Sequence, residues 1–294
     1  MTNMTKKLLV VTAILGFVAV GAAQQMSQTE APPAQSSSSS ASSSAQDSAS
    51  AGAPADPFAA KARAAVDLMV KSMGGQAFLS YQTKAEEGRT YSFYQGQPRG
   101  AGTVFWRFWK YPDKDRTEVT KQRDIAYLVV GEAGYEITFK GTALQDADVL
   151  ADYLRRRNHS LEVVTREWLK NPQTIVLPAG SGIAEQKLCD LVTIVNPQND
   201  SVTLAIDQQT HLPVQKTFTY RDKDKYKVEE AEVYANYREQ QGIMTPFTWT
   251  RKKDELMMTQ RFITKLEYNE QIPESKFDAK VTYDPTQLLK EKKK

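Results

Sequence analysis

Apolar and polar side chains alternate along residues 201–268, in five strand-like runs that polar breaks of three to five residues separate. In the fourth run, Phe247 and Trp249 alternate with Thr248 and Thr250. Alternation with a period of two gives a strand one apolar face and one wet face. Breaks this short join antiparallel neighbours. The pattern therefore predicts an antiparallel meander whose apolar face must cover something.

The same alternation assigns a face to each side chain of the third run. Ala231 and Val233 alternate with Glu230 and Glu232 there. Because strand faces are normally divided into apolar and polar sides, we expect the alanine and the valine to point inward and the two glutamates to point to water.

Further strand-like runs precede the meander, at residues 85–94, 103–111, 116–120, 125–130, 135–139, 174–177 and 185–195. The run at 103–111 reads TVFWRFWKY and is aromatic on both parities. Such a run is either a strand buried on both sides or the wall of a ligand cavity with outer packing behind it. The pattern does not choose between these two interpretations.

A helix is predicted from residue 57 to residue 73. Asp56 is a good N-cap, and proline suits the first helical turn. One apolar stripe follows at helical spacing, and Gly74 and Gly75 end it. Its members are Phe58, Ala62, Ala65, Met69 and Met73. We expect this stripe to cover the meander; binding to a membrane surface is the alternative.

Residues 146–169 are predicted to be helical in two pieces, with Leu150 and Leu154 marking the first. A basic run, Arg155 to Arg157, stands between the pieces. Such a run is typical of a solvated face. Contact with anionic lipid headgroups or with an acidic partner is the alternative.

The pattern divides the chain into four segments. Residues 1–23 have the basic head, short apolar run and small residues of a secretory signal peptide. Residues 24–55 form a Ser/Ala/Gln-rich leader that we expect to be disordered. A single domain is expected over residues 56–284, and a basic tail over 285–294. Because no cysteine stands near residue 23 for lipidation, the predicted product is soluble and periplasmic.

Charge and composition exclude several classes of function. Removing residues 1–23 takes away two lysines and no acid, so the net charge falls from +3 to +1. Near neutrality argues against nucleic acid as a partner. The one cysteine, Cys189, cannot form an internal disulfide and is expected to be a buried, inert thiol. Neither His159 nor His211 has a second ligand at metal-binding spacing. We therefore expect no metal, no cofactor and no catalysis.

Several short motifs then occur in one order along residues 56–279. They are Met73-Gly74-Gly75; Tyr111-Pro112-Asp113-Lys114 with Arg116; Leu204 to Asp207 with His211 to Val214; Tyr234, Tyr237, Gly242, Ile243 and Pro246; and Tyr268-Asn269, Ile272-Pro273 and Phe277. In this order and spacing the chain resembles the outer-membrane lipoprotein-sorting proteins, the LolA/LolB-like superfamily.

The resemblance implies a fold and a function. The fold is α+β, an unclosed antiparallel half-barrel curved around a few helices, with a hydrophobic cavity for acyl chains. The function is non-catalytic periplasmic carriage of lipid or lipoprotein, with envelope proteins and transient membrane contact as further partners. The gating arginine of the family corresponds to Arg89 or Arg107 in this sequence.

Strand parity nominates a ligand-binding set for such a cavity. Its members are Phe93, Phe105, Trp109, Tyr127, Leu204, Phe218, Phe247, Trp249 and Phe262. A slip of one residue would turn the other face inward, so Val104, Trp106 and Phe108 form a reserve set. The competing hypothesis is a cell-envelope interaction module whose inner face is filled by its own helices. A lipid binder needs an apolar pocket of several hundred Å³ (roughly 300 or more), which separates the two.

Overall fold

The computed structural model describes residues 57–283. The predicted signal peptide, leader and basic tail, and the predicted N-cap Asp56, lie outside these residues. Four helices are present: α1 (Pro57–Ser72), α2 (Gln76–Ser80), α3 (Ala147–Asn158) and α4 (Leu161–Arg166). Two short 3-10 turns follow, at Trp168–Lys170 and Glu274–Phe277. No helix among residues 57–283 has the length and apolarity that a membrane span requires.

Fourteen strands form one antiparallel sheet. The first seven are β1 (Thr83–Tyr94), β2 (Gln97–Pro98), β3 (Thr103–Lys110), β4 (Lys114–Val119), β5 (Ile125–Val130), β6 (Ala133–Thr138) and β7 (Gly141–Leu144). The others are β8 (Ile175–Ala184), β9 (Lys187–Val195), β10 (Ser201–Asp207), β11 (Pro213–Arg221), β12 (Lys227–Gln240), β13 (Ile243–Lys253) and β14 (Leu256–Tyr268).

The strand order shows two meanders that share a seam. It runs β7-β6-β5-β4-β3-β1-β14-β13-β12-β11-β10-β9-β8, with β2 paired to β1 alone. The first strand of the sheet therefore lies in its centre and pairs with the last one, from Lys84 opposite Tyr268 to Ser92 opposite Thr259. The two end strands, β7 and β8, do not pair with each other, so the sheet is unclosed.

A glycine permits the close approach of strands at this seam. The register of β1 against β14 shifts between Glu87 and Gly88. A Cβ on Gly88 would stand 2.1 Å from the carbonyl oxygen of Phe262. Any other residue would have to push the strands apart, so the bulge requires glycine at this position.

Helix α3 shows that the sheet is curved. On one side, the Tyr153 hydroxyl donates to Asp115 of β4 at 2.7 Å. On the other, the Arg155 guanidinium lies 3.8 Å from the ring centre of Tyr220 on β11. These strands are six places apart in the sheet, which is about 29 Å in a flat sheet. A helix is only about 10–12 Å across, so the sheet must wrap around it. The unclosed half-barrel predicted from the sequence is confirmed.

Helix α1 fills one end of the inner face, with a stripe that differs slightly from the predicted one. Ala62, Val66, Met69 and Met73 are buried, and α1 packs on β8 and β9. The spacing of four, three and four residues is that of one helix face. Phe58, which we predicted as a stripe member, is instead 68% exposed. Ala65 is half-buried at the edge of the stripe.

The outer face of the sheet has a cover of its own. The 3-10 turn at Glu274–Phe277 packs on β4 and β5, and Phe277 is buried. Lys276 lies 4.4 Å from the ring centre of Phe108. Strand β3 thus has packing behind its outer face, which both interpretations of this strand expected.

Most predicted elements are present. All five strands of the meander form, with breaks at the predicted places, and strand β5 has the predicted bounds. Residues 146–169 form α3 and α4, as two pieces. The sequence analysis did not anticipate α2, β2 or β7, which are five, two and four residues long. Elements this short show too few periods for a pattern to emerge.

Candidate functional site

The candidate site is the inner face of the half-barrel, which consists of two regions. The apolar region is the inner face of β8–β11 together with α1 and α4. The charged region is the inner face around the central seam, beneath α3. Its ionisable side chains are Lys84, Glu86, Arg107, Asp115, Lys216, Glu230, Glu232, Arg251 and Arg261, with Tyr153 and Arg156 contributed by α3.

The apolar region is tightly filled. Val66 and Met69 of α1 and Val164 of α4 are fully buried against the sheet. Strands β9 and β10 present Ile194, Val202 and Leu204 to them, also fully buried. Each of these side chains stabilises the fold by about 1.5–3 kcal/mol relative to full exposure. This region is an ordinary protein core, built from the inward parity of the strands.

One histidine lies at the border of the apolar region. The His159 ring stacks on Phe218, with ring centres 4.3 Å apart, and its Nδ1 lies 2.7 Å from the carbonyl oxygen of Arg155. Burial lowers the pKa of His159, because the interior disfavours the imidazolium. His159 is thus a neutral core residue.

The charged region contains a chain of ion pairs. Arg107 binds Asp115 at 2.8 Å, and its other nitrogen lies 3.6 Å from Glu86. Lys84 pairs with the same Glu86 at 3.0 Å and reaches Glu162 of α4 at 3.4 Å. Charges that leave water need such partners, so each member of this chain depends on its neighbours.

The pKa values of this chain follow from those pairs. Burial would raise the pKa of Asp115, but the Arg107 guanidinium outweighs burial and holds that pKa below its usual range. Likewise, burial would raise the pKa of Glu162, and Lys84 outweighs it, so the pKa of Glu162 is about 2. Both carboxylates are therefore ionised at neutral pH.

A second ion pair joins β11 to β12. Lys216 is fully buried, and its Nζ lies 2.8 Å from Glu232. The Tyr234 hydroxyl donates to the same carboxylate at 2.8 Å. Glu230 points inward as well, 4.0 Å from Arg251. The sequence analysis did not identify the pair of Lys216 and Glu232 as part of the candidate site.

The face predicted for β12 is therefore wrong. Glu230 and Glu232 pair in register with Phe218 and Lys216, which face inward, whereas Ala231 pairs with Thr217 on the outer side. The physical reason is that Lys216 supplies a counter-charge inside. The signal was available: Lys216 has the same parity as Phe218 and Tyr220, so a lysine interrupts an apolar stripe.

The nine nominated ligand-binding residues do not all meet. Five belong to one cluster of packed side chains: Trp109, Leu204, Phe218, Phe247 and, half-buried at its edge, Trp249. Phe105 is buried on the same face of β3 as Trp109. Tyr127 pairs in register with Thr117, and Thr117 pairs with Arg107, so Tyr127 is on this face as well. Its exposed fraction is 38%.

Phe93 and Phe262 are not brought to this face. Phe262 pairs with Arg89, on the opposite face from Ile263 and Arg261, and packs edge-on against Tyr91 at 5.8 Å. Phe93 has the parity of Arg89 and Tyr91 on β1. The reserve set also lies outside, because Trp106 and Phe108 alternate with the buried Phe105 and Trp109.

The two candidates for the gating arginine are separated by the sheet. Arg89 is exposed on the outer face, where it donates to the carbonyl of Ala101 at 3.4 Å. Arg107 faces inward in the chain of ion pairs. Of the two, only Arg107 lies on the face that a ligand inside the half-barrel would contact.

Two pockets lie along the sheet. One, of about 310 Å³, is lined by Phe247 and Leu266 among polar residues of β12 and β14 such as Arg238 and Glu267. The other, of about 350 Å³, is polar and is lined by Gln215, Glu229, Ala231, Lys252 and Glu255. Neither has the continuous apolar lining that acyl chains prefer.

Potential ligands for a metal do not converge within the described part of the chain. No three side chains of His, Cys, Asp or Glu among residues 57–283 lie close enough to hold one ion. Cys189 is buried as predicted, and burial raises the pKa of its thiol. A raised pKa keeps a thiol protonated and unreactive.

Comparisons with known proteins bear on the fold. No family model and no curated protein matches the chain. A DUF1329 family protein from Desulfovibrio piger is similar with a TM-score of 0.53 and 15% identity, over 74% of this chain and 97% of that one. An outer membrane lipoprotein-sorting protein domain from Vibrio parahaemolyticus gives 0.49 and 9%, over 78% and 99%.

A LolA superfamily protein from Nitrosomonas europaea is similar as well, with a TM-score of 0.44 and 11% identity, over 71% of this chain and 97% of that one. The chain shares the fold of the DUF1329 family protein, a large unclosed antiparallel sheet with a few helices. At identities of 15% or less, the likeness concerns the architecture and not the ligand.

Proposed function

We propose that this chain is an exported, non-catalytic carrier that holds a hydrophobic ligand on the inner face of its LolA-like sheet. The ligand class is lipid or the acyl chains of a lipoprotein, and the process is lipoprotein sorting or lipid transport in the cell envelope. The single observation that supports this proposal best is the difference between the two helical covers of that face.

Helix α1 seals its region with fully buried side chains, whereas α3 covers the charged region without a single buried residue. Polar contacts hold α3 in place, such as Tyr153 to Asp115 and Arg157 to the carbonyl of Gly131 at 2.6 Å. Contacts of this kind exchange readily with water and contribute only about 0.5–1.5 kcal/mol each, up to about 3 for charged ones. We therefore assign ligand entry to the space beneath α3.

The aromatic side chains beside that space would receive the apolar part of the ligand. Phe105 and Trp109 on β3 face it from one side, and Trp249 on β13 faces it from the other. Trp249 is half-buried, so it retains apolar surface that a ligand can cover.

A periplasmic location completes this proposal. It rests on the signal-peptide pattern of residues 1–23 and on the lack of a cysteine there. Finding the full-length chain held in membranes with its N-terminus intact would contradict it.

The second candidate function is an envelope interaction module with a filled interior. It is favoured by the burial of five of the nine nominated ligand residues: Phe105, Trp109, Leu204, Phe218 and Phe247. In that case the inner face has no room for acyl chains, and function lies on the outer surface.

A titration with a fluorescent fatty-acyl probe separates the two. The carrier proposal expects saturable binding, weakened about tenfold or more in Trp249→Ala. The matched control is Trp106→Ala on the outer face, where the indole donates to Glu87 at 3.0 Å; it should leave probe binding unchanged. Lack of saturable binding by the native chain would favour the interaction module.

A further inference from the structure

The charged region contains more cationic side chains than carboxylates: two lysines and four arginines face four carboxylates. We call Arg107, Arg156, Arg251 and Arg261 the arginine cluster. They come from β3, α3, β13 and β14, and the three on strands face the inner side of the sheet. Burial lowers the pKa of Arg261, and Arg107 and Arg251 lower it further; burial and then Arg251 lower the pKa of Arg156.

The carboxylates nearby are already engaged. Asp115 is bound by Arg107 through two nitrogens. Glu86 is paired with Lys84 at 3.0 Å, and Glu232 with Lys216 at 2.8 Å. Glu230 is left for Arg251, and even there the separation is 4.0 Å. Arg156 and Arg261 thus have no carboxylate of their own.

Specific nitrogen atoms of these two side chains are buried without a partner. Nη1 of Arg156 and Nε of Arg261 have no hydrogen-bond acceptor among residues 57–283. Burial, followed by the neighbouring Arg107, lowers the pKa of Arg261 to about 10. A guanidinium nitrogen that is buried without an acceptor is destabilising, so an anion that accepts a hydrogen bond from it would stabilise the fold.

The surroundings of Arg261 are apolar rather than wet. Its guanidinium lies 5.3 Å from the ring centre of Phe105 and 5.3 Å from that of Trp249. Arg107 and Arg251 each remain 23% exposed, so the cluster can be reached from solvent. A cation between two aromatic walls is suited to a ligand that has an anionic group next to an apolar one.

We infer that the arginine cluster binds the oxyanion of an amphiphilic ligand, a phosphate or a carboxylate, while Phe105 and Trp249 contact the adjoining hydrocarbon. Guanidinium groups offer paired donors that match the oxygens of these anions. Arg156 belongs to α3 and interacts with Arg251 on β13, so an anion that reaches Arg156 would also tie α3 to the sheet. This inference rests on the proposed carrier function, which it narrows to anionic ligands.

The test compares dodecyl phosphate with uncharged dodecanol, which have the same hydrocarbon, and adds inorganic phosphate as a third probe. We expect the native chain to bind dodecyl phosphate at least tenfold more tightly than dodecanol. Arg261→Gln should abolish that preference, and Arg156→Gln should reduce it. Arg89→Gln on the outer face of the sheet is the matched control and should retain it.

Thermal unfolding without ligand gives a second measurement that a purely structural role would not reproduce. Because Arg261 is buried without a carboxylate, Arg261→Gln should leave the Tm unchanged or raise it. Dodecyl phosphate should raise the Tm of the native chain and not that of Arg261→Gln. A fall in Tm on substitution, with the preference for phosphate intact, would overturn the inference and make Arg261 a structural residue.

The three probes distinguish failure of this inference from failure of the carrier function. Equal affinity for dodecanol and dodecyl phosphate would overturn the anion site and leave the carrier function standing. Binding of inorganic phosphate alone, lost in Arg261→Gln, would support the cluster as an oxyanion site and contradict acyl carriage. Lack of binding by all three probes would overturn both.

Discussion

The apolar and charged regions share one sheet, yet they are stabilised in different ways. In the apolar region, α1 and α4 meet the strands through side chains such as Met69 and Leu204 that are fully buried. In the charged region, α3 has no buried residue and is attached through groups such as Tyr153. Burial of apolar surface needs no specific partner, whereas a buried charge fails when its partner is removed. One region is therefore a fixed core, and the other depends on specific polar partners.

The largest expected effect is a charge placed in the fixed core. Met69→Asp would bury an unpaired carboxylate between α1 and the sheet, because Met69 is fully buried. We expect a loss of about 4 kcal/mol or more in the free energy of unfolding, measured by urea denaturation. Leu68→Asp, one residue away and 38% exposed, should cost less than about 1 kcal/mol. Equal effects of the two would show that the stripe does not face the sheet.

Breaking an ion pair in the charged region should cost slightly less. Asp115→Ala removes the two-nitrogen partner of Arg107 and the acceptor of the Tyr153 hydroxyl, and leaves the Arg107 guanidinium only its 3.6 Å contact with Glu86. The expected destabilisation is about 3–4 kcal/mol, again by denaturation. Asp67→Ala, which breaks the exposed pair with Arg63 on α1, is the control and should cost about 0–1 kcal/mol. A negligible loss for Asp115→Ala would mean that the charged region does not depend on its pairs.

The two regions should also respond to different ranges of pH. The pKa of His159 is lowered in the folded state, so below about pH 6.5 the unfolded chain binds a proton that the folded chain does not. The contribution of His159 to the free energy of unfolding is then fully present above that pH. It falls as the pH decreases from 7 to 5, by up to about 1.4 kcal/mol per pH unit. Asp115 and Glu162 have lowered pKa values and contribute in the same direction only below about pH 4.

Measuring Tm between pH 7 and pH 5 tests this difference. His159→Phe, which retains a ring against Phe218, should show a weaker dependence than the native chain. His211→Gln, in the turn before β11, should keep the native dependence. If the Tm of His159→Phe and the Tm of the native chain fall in parallel, His159 is not the group that causes the pH dependence.

The smallest effect concerns the attachment of α3. Tyr153→Phe removes one hydrogen bond to Asp115 and should cost about 1 kcal/mol. Hydrogen exchange should become faster in α3 while the amides of α1 are unchanged, because the two helices cover separate regions. Faster exchange in both helices would show that the inner face opens as one unit.

The period-two alternation was enough to predict the meander and its breaks, because it reports which side of a strand is apolar. The faces predicted from alternation were wrong where the interior is not apolar. Glu232 faces inward only because Lys216 lies opposite it on β11, and a pairing between strands is invisible in either strand alone. The face of Phe262 was also predicted wrongly, because Thr264 is an extra residue of β14 opposite the step from Glu87 to Gly88 and changes the parity of the strand between Phe262 and Leu266.

The arginine cluster could not be predicted for the same reason. Arg156, Arg251 and Arg261 lie on three elements, and nothing in their spacing along the chain shows that they converge. The basic run at Arg155 to Arg157 was the available signal. The structure divides it: Arg155 covers Tyr220, Arg157 binds the carbonyl of Gly131, and Arg156 joins the cluster.

The central seam has a consequence for how the chain reaches its native state. Strand β1 pairs with β14, which lies far along the chain. The Thr83 hydroxyl, for example, donates to the carbonyl of Glu270, 187 residues away. Closing so large a loop makes folding slow. Until the last strand is synthesised, both meanders carry an open edge at the same place, and such edges promote aggregation. The order of synthesis thus leaves the middle of the sheet to be completed last, so this chain keeps an unpaired edge for longer than a sheet assembled from its first strand outward.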